Sequence, residues 1–489
     1  MFHQPSKRKQ LAQRITVYSL MSTAVIVLVG VLVFFMLGYQ YNGRHGRIEQ
    51  GGLVQFGSRP SGAEVTIDGR SFGTRTTSKT TMAAGEHAIT MRRTGYQTWQ
   101  KTVSVTPGSV LWLNYARLIP LKLTPQSVTN FPAVTSTAVS PNGKYMAIKA
   151  EAATADISIV DISQKDVQPT LLTLPATSYT APQEGQSQHF SLDSWDPSSR
   201  YLLVKHTYNE PAATEWLVVD TQRVADTKNL TTALGVAASK VVFSNDSSDK
   251  LYAQVDATVR RIDIGASTMS GPLVSGVHEF SLYKKMVLYS TLPNEETKEQ
   301  SVGYYDEGAA KSRIIRSYPA VEGASLQLAV GAYFSQTYVA IARGEVVEIL
   351  TGDLPRSDSD AKLTLATIRT IAVPGGVRHL SNVTNGRFIV AQSATGYVTY
   401  DLELKKVSTT PIRGATSEMR ELRWLDDYML WSDQGGMARL YEFDGANQHD
   451  IMPVVSGFNV TLSPNGSYLY GVTLDEAGVY HLSRVQMIL

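Results

Sequence analysis

The run Ile15 to Tyr39, ITVYSLMSTAVIVLVGVLVFFMLGY, carries no charged residue and has an unbroken apolar heart from Ala24 to Leu37. About 20 apolar residues at roughly 1.5 Å each cross a hydrocarbon core of about 30 Å, so the run predicts one membrane-spanning helix over 15–39. Only fourteen residues precede it, with Lys7, Arg8, Lys9 and Arg14 and no acid. The positive-inside bias leaves 1–14 in the cytoplasm as a basic tail and delivers the rest of the chain to the other side. A cleaved signal peptide shares the basic start but has a shorter core and a small-x-small cleavage site; Leu37-Gly38-Tyr39-Gln40-Tyr41 sets bulky residues there. A buried core helix normally keeps a polar face, and the apolar heart has none. The expectation is a retained signal anchor that meets the lipid bilayer through 15–39, with Tyr39 and Tyr41 at the interfacial aromatic belt.

The chain of 489 residues has a formal charge of +2, and without the four basic tail residues 41 basic stand against 43 acidic ones. So even a balance lacks the concentrated basic surface that nucleic-acid binding needs, and no nucleic-acid partner is expected. There is no cysteine, hence no disulfide, no thiol nucleophile and no thiolate metal site. A large extracytoplasmic chain without disulfides must be stabilised by core burial alone, and it suits a prokaryotic cell envelope better than a eukaryotic secretory route.

Residues 40–51 read as a polar, glycine-containing linker, and a β module occupies 52–120. Pro60 and Gly62 set a turn, Ala63 to Ile67 alternates with period two, and Asp68-Gly69 supplies a hairpin turn. Alternation returns in His87 to Met91, Trp99 to Val105 and Leu111 to Tyr115, which together predict a small β-sandwich. Pro60-Ser61-Gly62-Ala63, Val65, Ile67, Asp68-Gly69, Gly73, Gly85-x-His87, Gly95-Tyr96 and Leu118-x-Pro120 resemble the PEGA domain of prokaryotic envelope proteins. Ser61 replaces the motif's glutamate, and Ala84 stands where a proline usually precedes the glycine. The resemblance implies a spacer or an attachment module, with His87, Gly95 and Tyr96 as packing and turn residues.

From about 128 to 489 one pattern recurs. Val139-Ser-Pro-Asn-Gly143 leads into Lys144-Tyr145-Met146-Ala147-Ile148, and Leu462-Ser-Pro-Asn-Gly466 leads into Ser467-Tyr468-Leu469-Tyr470. Weaker copies surround Asp196, Asn245, Asn385, Leu282 to Tyr289, Tyr333 to Ile341 and Trp424 to Trp431. In six of the units a third strand closes on an aspartate: Asp161, Asp220, Asp263, Asp306, Asp401 and Asp444. Eight units of about 45 residues fit four-stranded propeller blades; seven would stretch the period to about 52. The fold class is therefore mainly β: a transmembrane helix, a small sandwich, then one β-propeller over 128–489 with eight blades preferred to seven. The Ser-Pro-Asn-Gly-Lys copies resemble the WD40-like repeat of TolB-type propellers, with asparagine in place of the usual aspartate, which implies architecture and no particular activity. An acid repeated at the same place in unit after unit caps turns, since chemistry needs its acid only once.

Chemistry-bearing patterns are absent from the sequence. There is no Gly-x-Ser-x-Gly elbow, His278-Glu279 is not followed by the second histidine of a zinc helix, and the nine histidines form no i,i+4 pair. No cofactor and no catalytic residue is assigned. The 150–155, 206–215 and 291–300 loops and the 176–188 connector are expected on one face of the propeller. There His206, Tyr208, Glu210, Glu295 and Glu296 form an acidic candidate rim for a partner, an envelope protein or a glycan. The alternative is a glycan hydrolase or lyase with carboxylates converging in the central funnel.

Overall fold

The computed structural model describes residues 7–36, 38–42, 46–321, 325–382, 385–416 and 418–489. It divides into two compact units, 1–122 and 123–489, each considered by itself below.

The first unit begins with helix α1 (Lys7–Met36), whose 24-residue stretch Leu11–Phe34 is long and apolar enough to cross a membrane and has none of its apolar surface buried. Two expectations shift here. The helix starts inside the basic tail and stops at Met36, and Tyr39 already belongs to strand β1 (Tyr39–Asn42), its ring 4.4 Å from that of Phe34. The side chain of Tyr41 lies outside the described residues. Within the expected linker, β1 pairs antiparallel with β2 (Arg47–Gln50), and the tyrosines of one strand and Ile48 of the other are residue types that suit a short ribbon.

Two sheets follow, face to face. One orders β6 (Ser78–Met82), β3 (Gly52–Arg59) and β9 (Val110–Arg117); the other orders β5 (Arg70–Arg75), β4 (Glu64–Ile67), β7 (Gly85–Arg92) and β8 (Trp99–Val105). Period-two burial along β8 and β9 sends Trp99, Val103, Leu111 and Leu113 into a core shared with Val54, Phe56, Val65, Ile89 and Met91. The Asp68-Gly69 turn has both residues at positive φ, 49° and 78°, as a two-residue hairpin demands. His87 locks that turn: Nδ1 lies 2.7 Å from Asp68 Oδ2 and Nε2 2.9 Å from the Ala83 carbonyl.

In the second unit the described residues form eight antiparallel sheets, at 136–173, 188–229, 240–275, 277–319, 326–372, 379–411, 423–453 and 461–486, numbered one to eight here. Sheet eight takes its outermost strand from β10 (Gln126–Phe131), paired with Tyr480–Gln486, so strands from the two ends of the unit meet in one sheet. Apolar clusters join sheets one through seven in succession, and another joins sheet eight to sheet one. Phe190, Leu202 and Leu217 of sheet two pack on Ala147 and Ile157 of sheet one, and Tyr470 and Leu482 of sheet eight pack on Met146 and Val160 of sheet one. This closed succession of up-and-down sheets is a β-propeller.

The repeated turn has one chemical design. Asn142 Oδ1 accepts from Ser140 Oγ (2.7 Å) and Lys144 N (2.9 Å), while Ser140 Oγ accepts from Tyr145 N (2.9 Å). Asn465 and Ser463 repeat it at 2.8, 3.0 and 3.0 Å, and Gly143 and Gly466 take the left-handed conformation at φ 68° and 71°. The recurring aspartates also close turns: Asp161 accepts from Ser163 N, Asp263 from Ala266 N, Asp401 from Glu403 N and Asp444 from Ala446 N. Asp306 departs from the pattern by accepting from Ser357 N of sheet five.

Candidate binding surfaces

In up-and-down sheets arranged this way, turns between second and third strands share one face with the connectors from sheet to sheet. On that face the 150–155 turn, the 174–187 connector and the 209–212 turn form one knitted surface. Gln188 Nε2 donates to the Ala153 carbonyl at 2.8 Å, Phe190 N to Ala152 O at 2.7 Å, and Gln183 N to Asn209 Oδ1 at 2.8 Å. Two buried ionisable groups support it from below. Lys149, wholly buried, donates from Nζ to the carbonyls of Thr154 (2.6 Å) and Asp156 (2.7 Å), and burial holds its pKa down to about 8. Glu215 accepts from Thr180 N (2.7 Å), Thr180 Oγ1 (2.8 Å) and Asn229 Nδ2 (2.8 Å) and lies 2.8 Å from His206 Nδ1. Burial opposes its ionisation, but the hydrogen bonds from His206, Asn229 and Thr180 prevail and bring its carboxyl to about 2.

His206 is therefore misplaced on the predicted rim. The 206–215 stretch is mostly strand, Tyr201–Tyr208 and Ala213–Asp220, with only 209–212 between. The His206 side chain is 0 % exposed and stacks between Phe190 (4.1 Å) and Tyr208 (5.1 Å). The unbroken apolar run Leu202, Leu203 and Val204 before it was the signal that a buried strand continues toward it. Tyr208 is half-buried at the strand end and Glu210 is exposed on the turn, beside exposed Glu151 and Glu184 of the neighbouring loops. Glu295 and Glu296 are exposed on the 292–298 turn of sheet four, where Asn294 Oδ1 accepts from Glu296 N and Thr297 N at 2.9 Å each. Sheet three intervenes, so these two glutamates stand apart from Glu210 on the ring.

The central channel carries the second polar set. Lys240 Nζ lies 3.8 Å from Glu279 Oε1, Glu421 lies 3.7 Å from His379 Nδ1 and 3.9 Å from Arg423 Nε, and Arg423 Nη1 donates to Asn459 Oδ1 at 3.3 Å. Asp193, on a bulge in the innermost strand of sheet two, faces this channel near Thr137, Arg423 and Asn459. Its side chain is exposed to the channel, and the protein around it partly desolvates the carboxyl and raises its pKa, offset in part by Ser194, Lys240 and Lys205. Sequence pattern did not mark Asp193, because a bulge displaces a residue without changing its type. Among the described residues no three of His, Asp and Glu converge as a metal site.

Residues 52–118 match the PEGA domain family. No curated protein matches the chain. Among solved structures, it is similar to the β-propeller domain of Cps50 (Swd1) from Myceliophthora thermophila at 13 % identity, covering 74 % of this chain and 99 % of that one with a TM-score of 0.39. It is also similar to AztD of Citrobacter koseri at 12 % identity, over 82 % and 97 % of the two chains with a TM-score of 0.40. An oligogalacturonate lyase in complex with manganese aligns at 12 % identity over 75 % and 98 %, with a TM-score of 0.40. The propeller assignment rests on the strand connectivity described above.

Proposed function

We propose that this chain, a PEGA domain followed by a β-propeller, is a single-pass membrane protein that holds the propeller outside the cytoplasm as a binding platform for another envelope component, a protein or a glycan. The observation that carries the reading is the uncovered apolar surface of α1, with Leu20, Ile26 and Met36 exposed by 72, 70 and 78 %. Each such side chain left in water forgoes about 1.5–3 kcal/mol, so this surface needs lipid. Retention of the helix is supported by its outer end, since Gly51 N donates to Gly38 O at 2.9 Å and ties the residues after α1 to the sandwich. The basic residues ahead of the span favour a cytoplasmic start. The surface of 150–155, 174–187 and 209–212 then serves as the partner face, with Glu151, Glu184 and Glu210 favouring a cationic or amide-rich partner.

The test is protease accessibility combined with crosslinking. Protease added to cells with a permeable outer envelope but intact membrane will digest the propeller and spare the tail, and the full-length chain will resist extraction by alkaline carbonate. A propeller that is digested only after the membrane is opened overturns the reading. A photo-crosslinker at Glu184 or Glu210 will capture the partner in intact cells; one at Leu171, on the outermost strand of sheet one, will not.

A second reading has Asp193 in its favour: a carboxyl with raised pKa in the channel is what a general acid for glycan cleavage requires. Loss of a measured glycan-cleaving activity in Asp193→Asn, with partner capture unchanged, would select it.

A further inference from the structure

We infer that the PEGA sandwich has its own contact with the membrane, a face centred on Trp112 and Val110 that lies in the phospholipid interface beside α1. The inference rests on the anchored reading above.

Backbone hydrogen bonds place this face at the end of the helix. Gly51 N donates to Gly38 O, Gly108 N to Gly51 O and Leu53 N to Ser109 O, each at 2.9 Å. Strand β9 leaves that knot at Val110, so Trp112 lies within about 10 Å of it along the strand. Gly51 and Gly108 permit the closeness: a Cβ on Gly51 would come within 2.3 Å of the Met82 carbonyl, and Gly108 has φ 67°.

Along β9 the side chains alternate. Leu111 and Leu113 enter the core, whereas Val110 and Trp112 stay 44 and 41 % exposed on the opposite face. Register sets Val110 beside Leu53 and Thr81, and Trp112 beside Gln55 and Lys79, so one exposed cation flanks the apolar pair. Ile48 of the β1/β2 ribbon adds a 60 % exposed side chain at the same end. A tryptophan with an aliphatic neighbour and a nearby lysine is the composition of a membrane–water interface, where the indole and the lysine stem bury while their polar ends stay wet. The headgroup layer is roughly 5–8 Å deep on each side. An apolar span of 24 residues within the helix, longer than the hydrocarbon core requires, delivers the helix's outer end into that layer.

Tryptophan emission reads this directly. The helix contains no tryptophan, and of the six in the chain Trp99, Trp195, Trp216 and Trp431 are no more than 6 % exposed and Trp424 is half-buried. The full-length chain is reconstituted in phosphatidylcholine vesicles carrying a nitroxide either on the headgroup or deep in the acyl chain. Headgroup nitroxide is expected to quench the wild-type protein, and in Trp112→Phe that quenching falls at least twofold; deep nitroxide quenches neither. Equal headgroup quenching in the two proteins, or none in either while the chain floats with the vesicles, overturns the inference and leaves the anchor intact. A chain that fails to float with vesicles overturns both. A photo-crosslinker at position 112 that captures protein and no lipid in cells likewise overturns the membrane contact.

Discussion

At the residue scale, the surface of 150–155, 174–187 and 209–212 is stiffened by two groups, Glu215 and Lys149, that sequence alone would have placed in solvent. Glu215 has its carboxyl pKa depressed from 4.5 to about 2, so it releases its proton more readily in the folded chain than in the unfolded one. Its contribution is therefore present above the unfolded value and lost as pH falls from about 4.5 toward 2. Thermal melts of the wild type should show an acid-sensitive loss in that window, and Glu215→Ala should flatten it. That variant should also be less stable at neutral pH by about 3–5 kcal/mol, because His206, Asn229 and Thr180 lose a buried acceptor. Lys149→Met keeps the apolar stem and removes the ammonium, leaving the carbonyls of Thr154 and Asp156 short of a donor. A loss of about 1–3 kcal/mol is expected, with faster hydrogen exchange confined to 150–155 and its neighbours. Neither group was legible as a buried one. A lysine at the end of Tyr145–Lys149 and a glutamate near the start of Ala213–Asp220 look like loop residues until neighbouring strands enclose them.

At the scale of the element, the turn after each innermost strand was the most readable feature, because its hydrogen bonds are local. In the Ser-Pro-Asn-Gly copies both bonds at the asparagine go to Oδ1, and an aspartate oxygen accepts them equally well. Asp246 does this in sheet three, where its Oδ1 accepts from Ser244 Oγ at 2.7 Å as Asn142 Oδ1 does from Ser140 Oγ. Asn142→Asp should therefore leave stability within about 0.5 kcal/mol of wild type, whereas Asn142→Ala should cost about 1–2 kcal/mol in denaturant titration. The turns also touch one another: Asn142 N donates to Ser199 Oγ at 3.2 Å, and Lys285 Nζ lies 3.2 Å from Asp246 Oδ2. A bidentate pair recurs in the same register, Arg200 with Asp220 and Arg387 with Asp401, which marks these aspartates as structural ties between strands.

At the scale of the molecule, the propeller is held by the meeting of its two ends. Removing β10 leaves the outer edge of Tyr480–Gln486 without its partner, an unpaired strand that also invites aggregation. A fragment covering 123–489 should fold alone in a cooperative transition, since it is a compact unit by itself. The same fragment begun at 133, without β10, should melt at lower temperature and associate in sedimentation experiments. The two outcomes being equal would show that closure by β10 contributes nothing.

What the sequence determined by itself was whatever depends on near neighbours: the apolar span, the hairpin turn at Asp68-Gly69, the Ser-Pro-Asn-Gly turns, the strand alternation and the repeat that implies a propeller. Hydropathy and turn chemistry act over a few residues, so they can be read in order. Only the tertiary structure decided that 39–42 pairs with 47–50, that β10 completes the last sheet from more than 300 residues away, and that His206 lies inside while Asp193 faces the channel. Those outcomes depend on which strands become neighbours and on a one-residue bulge, and neither changes the identity of any residue along the chain.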